Sequence, residues 1–405
     1  MRRQTISKGY LSISLTSIAL SACASTPPVE LYSPLIGQKV FKIASAEVAN
    51  QYPQYTDTVN GIWKYFDQNT WTVGFFPTTL YALNTRAKLC PSLAGGHDWL
   101  SLGRQWATGE IPFEVVNGLQ HDVGFASFPF QEELVVNPNN KTAITAINNF
   151  ATDLAKRYNA VVGCTRSWDS ADPTDFQVII DNMMNLEILY ASTALTGNNT
   201  LRQIAISHAD KTIANHIRAD GSSFHVVEYN STTGAVIRRR TSQGYADNST
   251  WSRGQSWGIY GFATMYQNSK LPRYLDTSRR MANYFLNAVP STGIVPWDFN
   301  APTSPPRPAD SSAANIAATG LLLLSRLEGS LSPPNVTGAK FWSDAAIKLL
   351  SDNTKLAWRP AWQSLLANGT VNKPAGNSLT GIVYGDYYFI KAGNDLLSMG
   401  LTSCP

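Results

Sequence analysis

Segments of helical length recur along nearly the whole chain, and this feature constrains the fold more than any other. Apolar spacing predicts helices over 36–50, 74–89, 97–109, 142–158, 178–196, 199–217, 256–268, 273–289, 311–328 and 339–352. Clusters of Pro, Gly or Asn separate these segments, for example at Gly197-Asn198 and at Pro272. Ten or more helices with short connections predict a stack of helical hairpins.

The predicted helices differ in how much of their surface is apolar. Residues 313–324 are apolar on nearly every face and must be buried, whereas the helix over 142–158 carries Lys156 and Arg157 on a face expected to meet solvent. An inner ring of helices inside an outer ring requires this alternation. A β-hairpin is expected within 222–242, where two short runs flank a turn. The predicted fold class is therefore all-α with a small β-hairpin.

The first 24 residues have the pattern of a secretory signal peptide. Three basic residues precede a modestly apolar stretch, which ends in small residues at Ala22-Cys23-Ala24. Cleavage after Ala24 is the preferred prediction, and it leaves a secreted protein with one domain over 25–405. Lipid attachment at Cys23, as in bacterial lipoproteins, is the alternative. Six N-x-[ST] sequons favour a glycosylating secretory route: Asn140, Asn198, Asn230, Asn248, Asn335 and Asn368.

Charge, hydropathy and cysteine content exclude several classes of protein. The 32 basic and 28 acidic side chains nearly balance, so we expect no nucleic acid and no anionic membrane as partner. No segment after the signal is apolar enough to span a membrane. Without Cys23 the cysteines are Cys90, Cys164 and Cys404, so at most one disulfide can form. The five histidines lack metal-ligand spacing, and we predict neither a metal site nor a cofactor.

Two aspartates are candidates for acid catalysis. Asp181 lies in the apolar run 178–186, near the predicted start of a helix. A dry pocket would raise the pKa of this carboxyl and let it act as a general acid, whereas a role as helix N-cap would lower the pKa. Asp122 lies in a turn that Gly124 allows to be tight. Paired acids suit carbohydrate hydrolysis, but the sequence fixes no distance between these two.

A third cluster, Gln243–Gly258, combines Trp251, Arg253 and Trp257 with three glycines. As a loop it could present a guanidinium and two flat rings to one ligand, which suits an acidic sugar, or it could be merely connective. Ser256 sits in a G-x-S-x-G pattern. The preceding residues are polar and broken by Gly instead of forming an apolar strand, so we reject this serine as a nucleophile.

At these residues the chain resembles the unsaturated glucuronyl hydrolases, glycoside hydrolase family 88. The similar blocks are 71–77, 121–125, 180–186, 218–222, 225–227, 243–258, 297–299, 310–314 and 384–388. The resemblance implies an (α/α)6 barrel. It also implies oligosaccharide substrates made by polysaccharide lyases, whose non-reducing uronic acid has a C4=C5 double bond. In that family an acid protonates C4, water adds at C5, and the resulting hemiketal rearranges and expels the aglycone.

The resemblance also implies roles for particular residues. Asp181 would be the general acid that also handles the attacking water. An ionised Asp122 would orient the sugar and help to keep Asp181 protonated. The implied substrate contacts are His225, Gln243, Trp251, Arg253, Trp257, Trp71, His121 and Trp168. The segment 372–381 does not clearly match the family, so sulfate tolerance stays open. The sequon at Asn248 falls inside a ligand block, and we expect it to be unglycosylated or to point away from the pocket.

Two other functions are weighed against this one. An unsaturated rhamnogalacturonyl hydrolase would use the same chemistry on a similar barrel, but the block Gln243–Gly258 resembles the glucuronyl family. An inactive secreted sugar-binding barrel is disfavoured because both Asp122 and Asp181 are present. The oligomeric state is left open.

Overall fold

A computed structural model describes residues 26–46, 50–115 and 118–405. The predicted signal peptide over 1–24, with Cys23, lies outside these ranges, so its cleavage stays a prediction. The single domain over 25–405 also stays a prediction. No helix in the described ranges is both long and apolar enough to cross a bilayer.

Helices dominate the structure, and most lie where the apolar spacing predicts them. The α-helices are α1 (Leu35–Ala46), α2 (Phe75–Leu89), α3 (Trp99–Ala107), α4 (Val123–Ala126), α5 (Phe128–Val136), α6 (Lys141–Lys156), α7 (Glu187–Thr196), α8 (Asn199–Asn215), α9 (Ser252–Ser269), α10 (Pro272–Ala288), α11 (Ser311–Gly329), α12 (Val336–Ala357) and α13 (Val383–Ser398). The sequence analysis did not predict α5 or α13.

The helices form an inner and an outer ring. The inner helices α9, α11 and α13 are buried along most of their length, and α13 contacts both α11 and α2. Outer helices pack on them in hairpin order, with α10 on α9 and α12 on α11. The apolar segment 313–324 lies in α11 and is buried throughout. The predicted all-α barrel of inner and outer helices is therefore confirmed.

The strands are few and antiparallel. They are β1 (Tyr52–Thr56), β2 (Trp63–Phe66), β3 (Tyr158–Asn159), β4 (Cys164–Thr165), β5 (Asp175–Ile179), β6 (Val226–Asn230) and β7 (Val236–Arg240). The hairpin expected within 222–242 is β6 with β7, and β5 adds a third strand beside β6.

The helix predicted over 178–196 is wrong in its first half. Residues 175–179 form β5, in which Val178 pairs with Val227, and a 3-10 turn over Ile180–Met184 precedes α7. A short apolar run of β-branched residues fits a buried strand as well as a buried helix, and pairing with β6 decides between them. Asp181 therefore lies in a tight turn after a strand.

Three glycines on α9 allow the turn over Ile180–Met184 to pack closely against this helix. Gly254, Gly258 and Gly261 share one helix face, since they are spaced by four and three residues. A Cβ added at Gly254 would lie 2.9 Å from Ile180, and one at Gly261 would lie 2.6 Å from Met183. The glycines that suggested a loop in the sequence thus serve close packing against a helix, because α9 already begins at Ser252.

The structure also tests the predicted exposure of Arg157 and the predicted limit of one disulfide. Arg157 does not meet solvent: it is 8% exposed and donates to the carbonyl oxygens of Arg166 and Ser167 and to the Asp169 carboxylate. The expected solvent-facing position is therefore wrong for Arg157, although Lys156 is exposed. The disulfide allowed by the cysteine count joins Cys90 to Cys404, and Cys164 is a buried thiol.

Candidate active site

A cavity of about 250 Å³ lies between the first turn of inner helix α9 and the start of the turn that follows β5. It is lined by Trp71, His121, Asp122, Trp168, Ile179, Asp181, Gln243, Arg253, Val371 and Asn372. Seven of these are predicted site residues. The other three, His225, Trp251 and Trp257, are buried directly behind the lining. Ile179, Val371 and Asn372 were not predicted, and no local motif marks them.

Asp181 is held in a dry position by the turn that follows β5. The residue is 7% exposed, and burial raises the pKa of its carboxyl to about 7. The nearby Arg253 guanidinium opposes this shift and lowers the pKa. Asp181 does not cap α7, whose N-cap position is Leu186. Desolvation therefore dominates over capping, and the carboxyl keeps a proton near neutral pH.

His225 faces Asp181 as a neutral donor. Its Nδ1 accepts a hydrogen bond of 3.1 Å from the Ser242 amide, so the ring proton lies on Nε2. Nε2 is 3.9 Å from Oδ2 of Asp181, and neither atom has a hydrogen-bond partner within the described part of the chain. Burial and the nearby Arg253 hold the pKa of His225 well below its usual range. The pair is therefore a polar contact between uncharged groups.

Asp122 lies in a 3-10 turn over Gln120–Asp122 and is paired with a second neutral histidine. His121 Nε2 is 3.3 Å from Asp122 Oδ1, and burial holds the pKa of His121 well below its usual range. The pKa of Asp122 is raised well above its usual range, first by burial and then by the charge of Asp181, while Arg157 lowers it.

The two shifts have the same main cause. Burial favours the protonated form of both carboxyls, and the charge of Asp181 raises the pKa of Asp122 further. The ionised state expected for Asp122 stays a prediction. Two close carboxyls titrate as a pair and not as independent groups. The pair therefore retains at least one proton near neutral pH, which is the property an acid catalyst requires.

Arg253 forms hydrogen bonds to several separate segments around the cavity. Its guanidinium donates to Gln243 Oε1 at 2.6 Å, to the carbonyl oxygens of Thr370 and Val371, and to Asp310 at 3.4 Å. The side chain is 1% exposed, and its Nε has no hydrogen-bond partner among the described residues. Both terminal nitrogens of the guanidinium are thus occupied by protein acceptors, and the contact of Arg253 with a ligand stays a prediction.

The predicted aromatic wall has two layers. Trp71 and Trp168 line the cavity, whereas Trp251 lies behind it, 4.5 Å from the His225 ring and 4.4 Å from the Arg253 guanidinium. Trp257 is fully buried beneath the cavity. Trp251 and Trp257 therefore support the residues that face the ligand space. The Asn248 side chain is exposed and does not line the cavity.

Across residues 26–46, 50–115 and 118–405, no group of three His, Cys, Asp or Glu side chains is arranged to hold a metal ion.

The fold and the site define a glycosidase of the (α/α)6-barrel class. The chain is 34% identical over 349 residues to an unsaturated glucuronyl hydrolase of Formosa agariphila, covering 85% of this chain and 84% of that one. It is 30% identical over 345 residues to an unsaturated chondroitin disaccharide hydrolase of Streptococcus agalactiae, covering 83% of each. The chain therefore belongs to the unsaturated glucuronyl hydrolase family, and it is a hydrolase of that kind.

The structural comparison agrees with the sequence comparison. A crystal structure of an unsaturated glucuronyl hydrolase specific for heparin matches with a TM-score of 0.80 and 27% identity, over 92% of this chain and 97% of that chain. No protein-family model matches the chain. The resemblance read from the sequence blocks is thus confirmed by relatives that match more than four fifths of the chain.

Proposed function

We propose that Asp181 is the general acid and base of the reaction and that the cavity holds the terminal unsaturated uronic acid. The observation that carries this proposal is the dry Asp181 carboxyl, whose pKa of about 7 leaves it able to give up and take back a proton near neutrality. It lies in the wall of a cavity of about 250 Å³.

The proposed reaction conserves protons and electrons. Asp181 gives its proton to C4, the electrons of the C4=C5 bond form the new C4–H bond, and positive charge develops at C5 and the ring oxygen. Water then attacks C5 and returns a proton to the Asp181 carboxylate. The resulting hemiketal opens and expels the aglycone. Because Asp181 has regained its proton, the enzyme is unchanged after one turnover.

The neighbours of Asp181 fit this cycle. His225 Nε2–H lies 3.9 Å from the carboxyl and can stabilise the carboxylate that appears after proton transfer. Arg253 lies close enough to lower the pKa of Asp181 and so acts in the same sense. Asp122 lines the same cavity, and its carboxyl oxygens can accept hydrogen bonds from sugar hydroxyls.

The proposed substrates are disaccharides released by glycosaminoglycan lyases. The relative from Streptococcus agalactiae is named for chondroitin disaccharides and the similar crystal structure for heparin. The cavity is small, which suits one terminal sugar ring, and Arg253 Nε offers one unpartnered buried donor, as far as the described residues go.

A direct assay follows the ultraviolet absorbance of the double bond with lyase-made disaccharides of chondroitin, hyaluronan, heparin and pectin. We expect absorbance to fall on the glycosaminoglycan products. Constant absorbance on every substrate would contradict the proposal, and loss on the pectin products alone would support the rhamnogalacturonyl alternative.

We further propose that the protein works outside the cytosol. The signal-like residues 1–24 support this, as does the Cys90–Cys404 disulfide, since such bonds persist in oxidising compartments. Mass spectrometry of the mature protein tests it: a chain beginning after Ala24 is expected, a lipid on Cys23 would indicate anchoring, and an intact Met1 would contradict secretion. The same spectra report which sequons carry glycans.

A further inference from the structure

Asn185 joins the two turns that carry the acids. Its Oδ1 accepts a hydrogen bond of 3.0 Å from the Phe125 amide, and its Nδ2 donates to the Asp181 carbonyl oxygen at 3.4 Å. Phe125 follows Asp122 by three residues, in the short helix that continues the Asp122 turn. One side chain thus bridges two segments that lie far apart in the sequence.

The contact is close and leaves no room for other side chains. Asn185 is fully buried, and a Cβ added at Gly124 would lie 2.5 Å from both the Cα and the Oδ1 of Asn185. A side chain at position 124 would therefore push the two turns apart. An amide offers an acceptor and a donor on one side chain, so it can form both hydrogen bonds at once.

We propose that Asn185 is a positioning residue, which sets the distance and orientation of Asp122 relative to Asp181. Both carboxyls line one cavity, and the charge of Asp181 raises the pKa of Asp122. Catalysis is sensitive to small displacements of reacting groups, so loosening this link should slow the reaction without abolishing sugar binding. The inference rests on the proposed function of the two acids.

Asn185→Ala tests the proposal against a matched control. Asn353 is also buried and also bridges two segments, since it donates to Gly293 and Leu349 carbonyl oxygens and accepts from the Val295 amide, away from the acids. Both alanine variants should lower the melting temperature. Only Asn185→Ala should lower kcat, by roughly 10- to 100-fold with KM changed by less than about threefold.

Asn185→Asp supplies a second test, should the alanine variant fail to fold. The aspartate has the same shape, and when protonated it can accept from Phe125 and donate to Asp181. It should therefore approach wild-type kcat at acid pH and lose activity faster than wild type as pH rises. The other groups that act on the two acids, Arg253 on Asp181 and Arg157 with His121 on Asp122, are unchanged in this variant.

The outcomes separate this inference from the function on which it rests. Wild-type kcat in Asn185→Ala, or equal losses of kcat in Asn185→Ala and Asn353→Ala, would overturn the positioning role. A parallel pH profile for Asn185→Asp and wild type would do the same. Near wild-type turnover in Asp181→Asn would instead overturn the proposed function.

Discussion

The two ends of the barrel both hold carboxyls whose pKa is raised by burial, but the surroundings of these carboxyls differ, and the proposed catalytic acid Asp181 lies at one end. A second cavity of about 300 Å³ is lined by residues that include Glu132, Glu187 and Lys391. Along α9, Arg253 lines the first cavity and Thr264 the second, which at 1.5 Å per residue places them roughly 16 Å apart. Burial raises the pKa of Glu132 and of Glu187, as it does for Asp181.

The cations at the two ends differ in what they contact. In the second cavity the Lys391 ammonium lies 3.0 Å from Asp395 and lowers the pKa of both Glu132 and Glu187. In the first cavity Arg253 is committed to Gln243, Asp310 and two backbone carbonyl oxygens. A raised pKa alone therefore does not identify a catalytic acid. The acid must also face a ligand space between aromatic rings with its proton unshared.

The largest expected difference between the two ends is in turnover. Asp181→Asn removes the transferable proton but keeps the shape of the side chain, so kcat should fall by roughly 10³-fold or more. Glu187→Gln makes the same change in the second cavity and should leave kcat within about twofold. The ultraviolet assay measures both, and equal losses would show that the two ends are not functionally distinct.

The two arginines provide the next comparison. Arg253→Lys keeps the charge but cannot reproduce the fork that holds Gln243, Thr370 and Val371, so kcat/KM should fall by about 10²-fold. Arg326→Lys at the other end alters only a half-exposed pair with Asp395 and should change kcat/KM by less than about twofold. A small effect of Arg253→Lys would mean that the cavity walls do not depend on the fork.

Replacing an aspartate by asparagine should change stability in opposite directions at the two ends. The pKa of Asp181 is about 7 in the folded protein and about 3.9 when unfolded, so the folded state binds more protons between these values. Its contribution is present below pH 4 and is lost as pH rises through 7. The Asp181→Asn variant has no carboxyl to ionise, so it does not lose this contribution. Its free energy of unfolding at pH 8 should exceed that of the wild type by about 2 kcal/mol, which is roughly 30-fold in the unfolding equilibrium constant.

The control for this prediction is Asp395→Asn. It removes the carboxylate that lies 3.0 Å from the half-buried Lys391 ammonium, and it should lower stability at neutral pH because a partly desolvated charge then loses its partner. Chemical denaturation at pH 4 and pH 8 measures both variants. A loss of stability in Asp181→Asn at pH 8 would mean that its carboxyl is ionised and well paired in the folded protein.

The smallest expected effect is the decrease of the wild-type kcat as the pH rises. Because the pKa of Asp181 is about 7, kcat should fall by about tenfold per pH unit above that value once the pair has lost its catalytic proton. Arg253 lowers this pKa, so Arg253→Met should move the alkaline limb to higher pH. A shift to lower pH in that variant would contradict the assigned electrostatics.

Sequence patterns predicted the barrel and most of the residues that line the candidate active site, for reasons that particular residues show. The apolar segment 313–324 could only be buried, and every residue of this segment is buried within α11. The blocks around Asp122 and Asp181 supplied the acids. The prediction failed at 178–180, because an apolar β-branched run has no periodicity that separates strand from helix. It also failed for Arg157, whose buried partners Arg166 and Ser167 are not visible in a helical pattern.

The amino-acid sequence by itself determined the helical barrel, the presence of two acids and the family, because hydrophobic spacing and residue identity are local properties of the chain. Only the tertiary structure decided the state of those acids. Desolvation, the 3.9 Å approach of His225, the commitment of Arg253 to its carbonyl partners and the Asn185 bridge all depend on distances between segments far apart in the chain. Such distances set a pKa, and no local pattern records them.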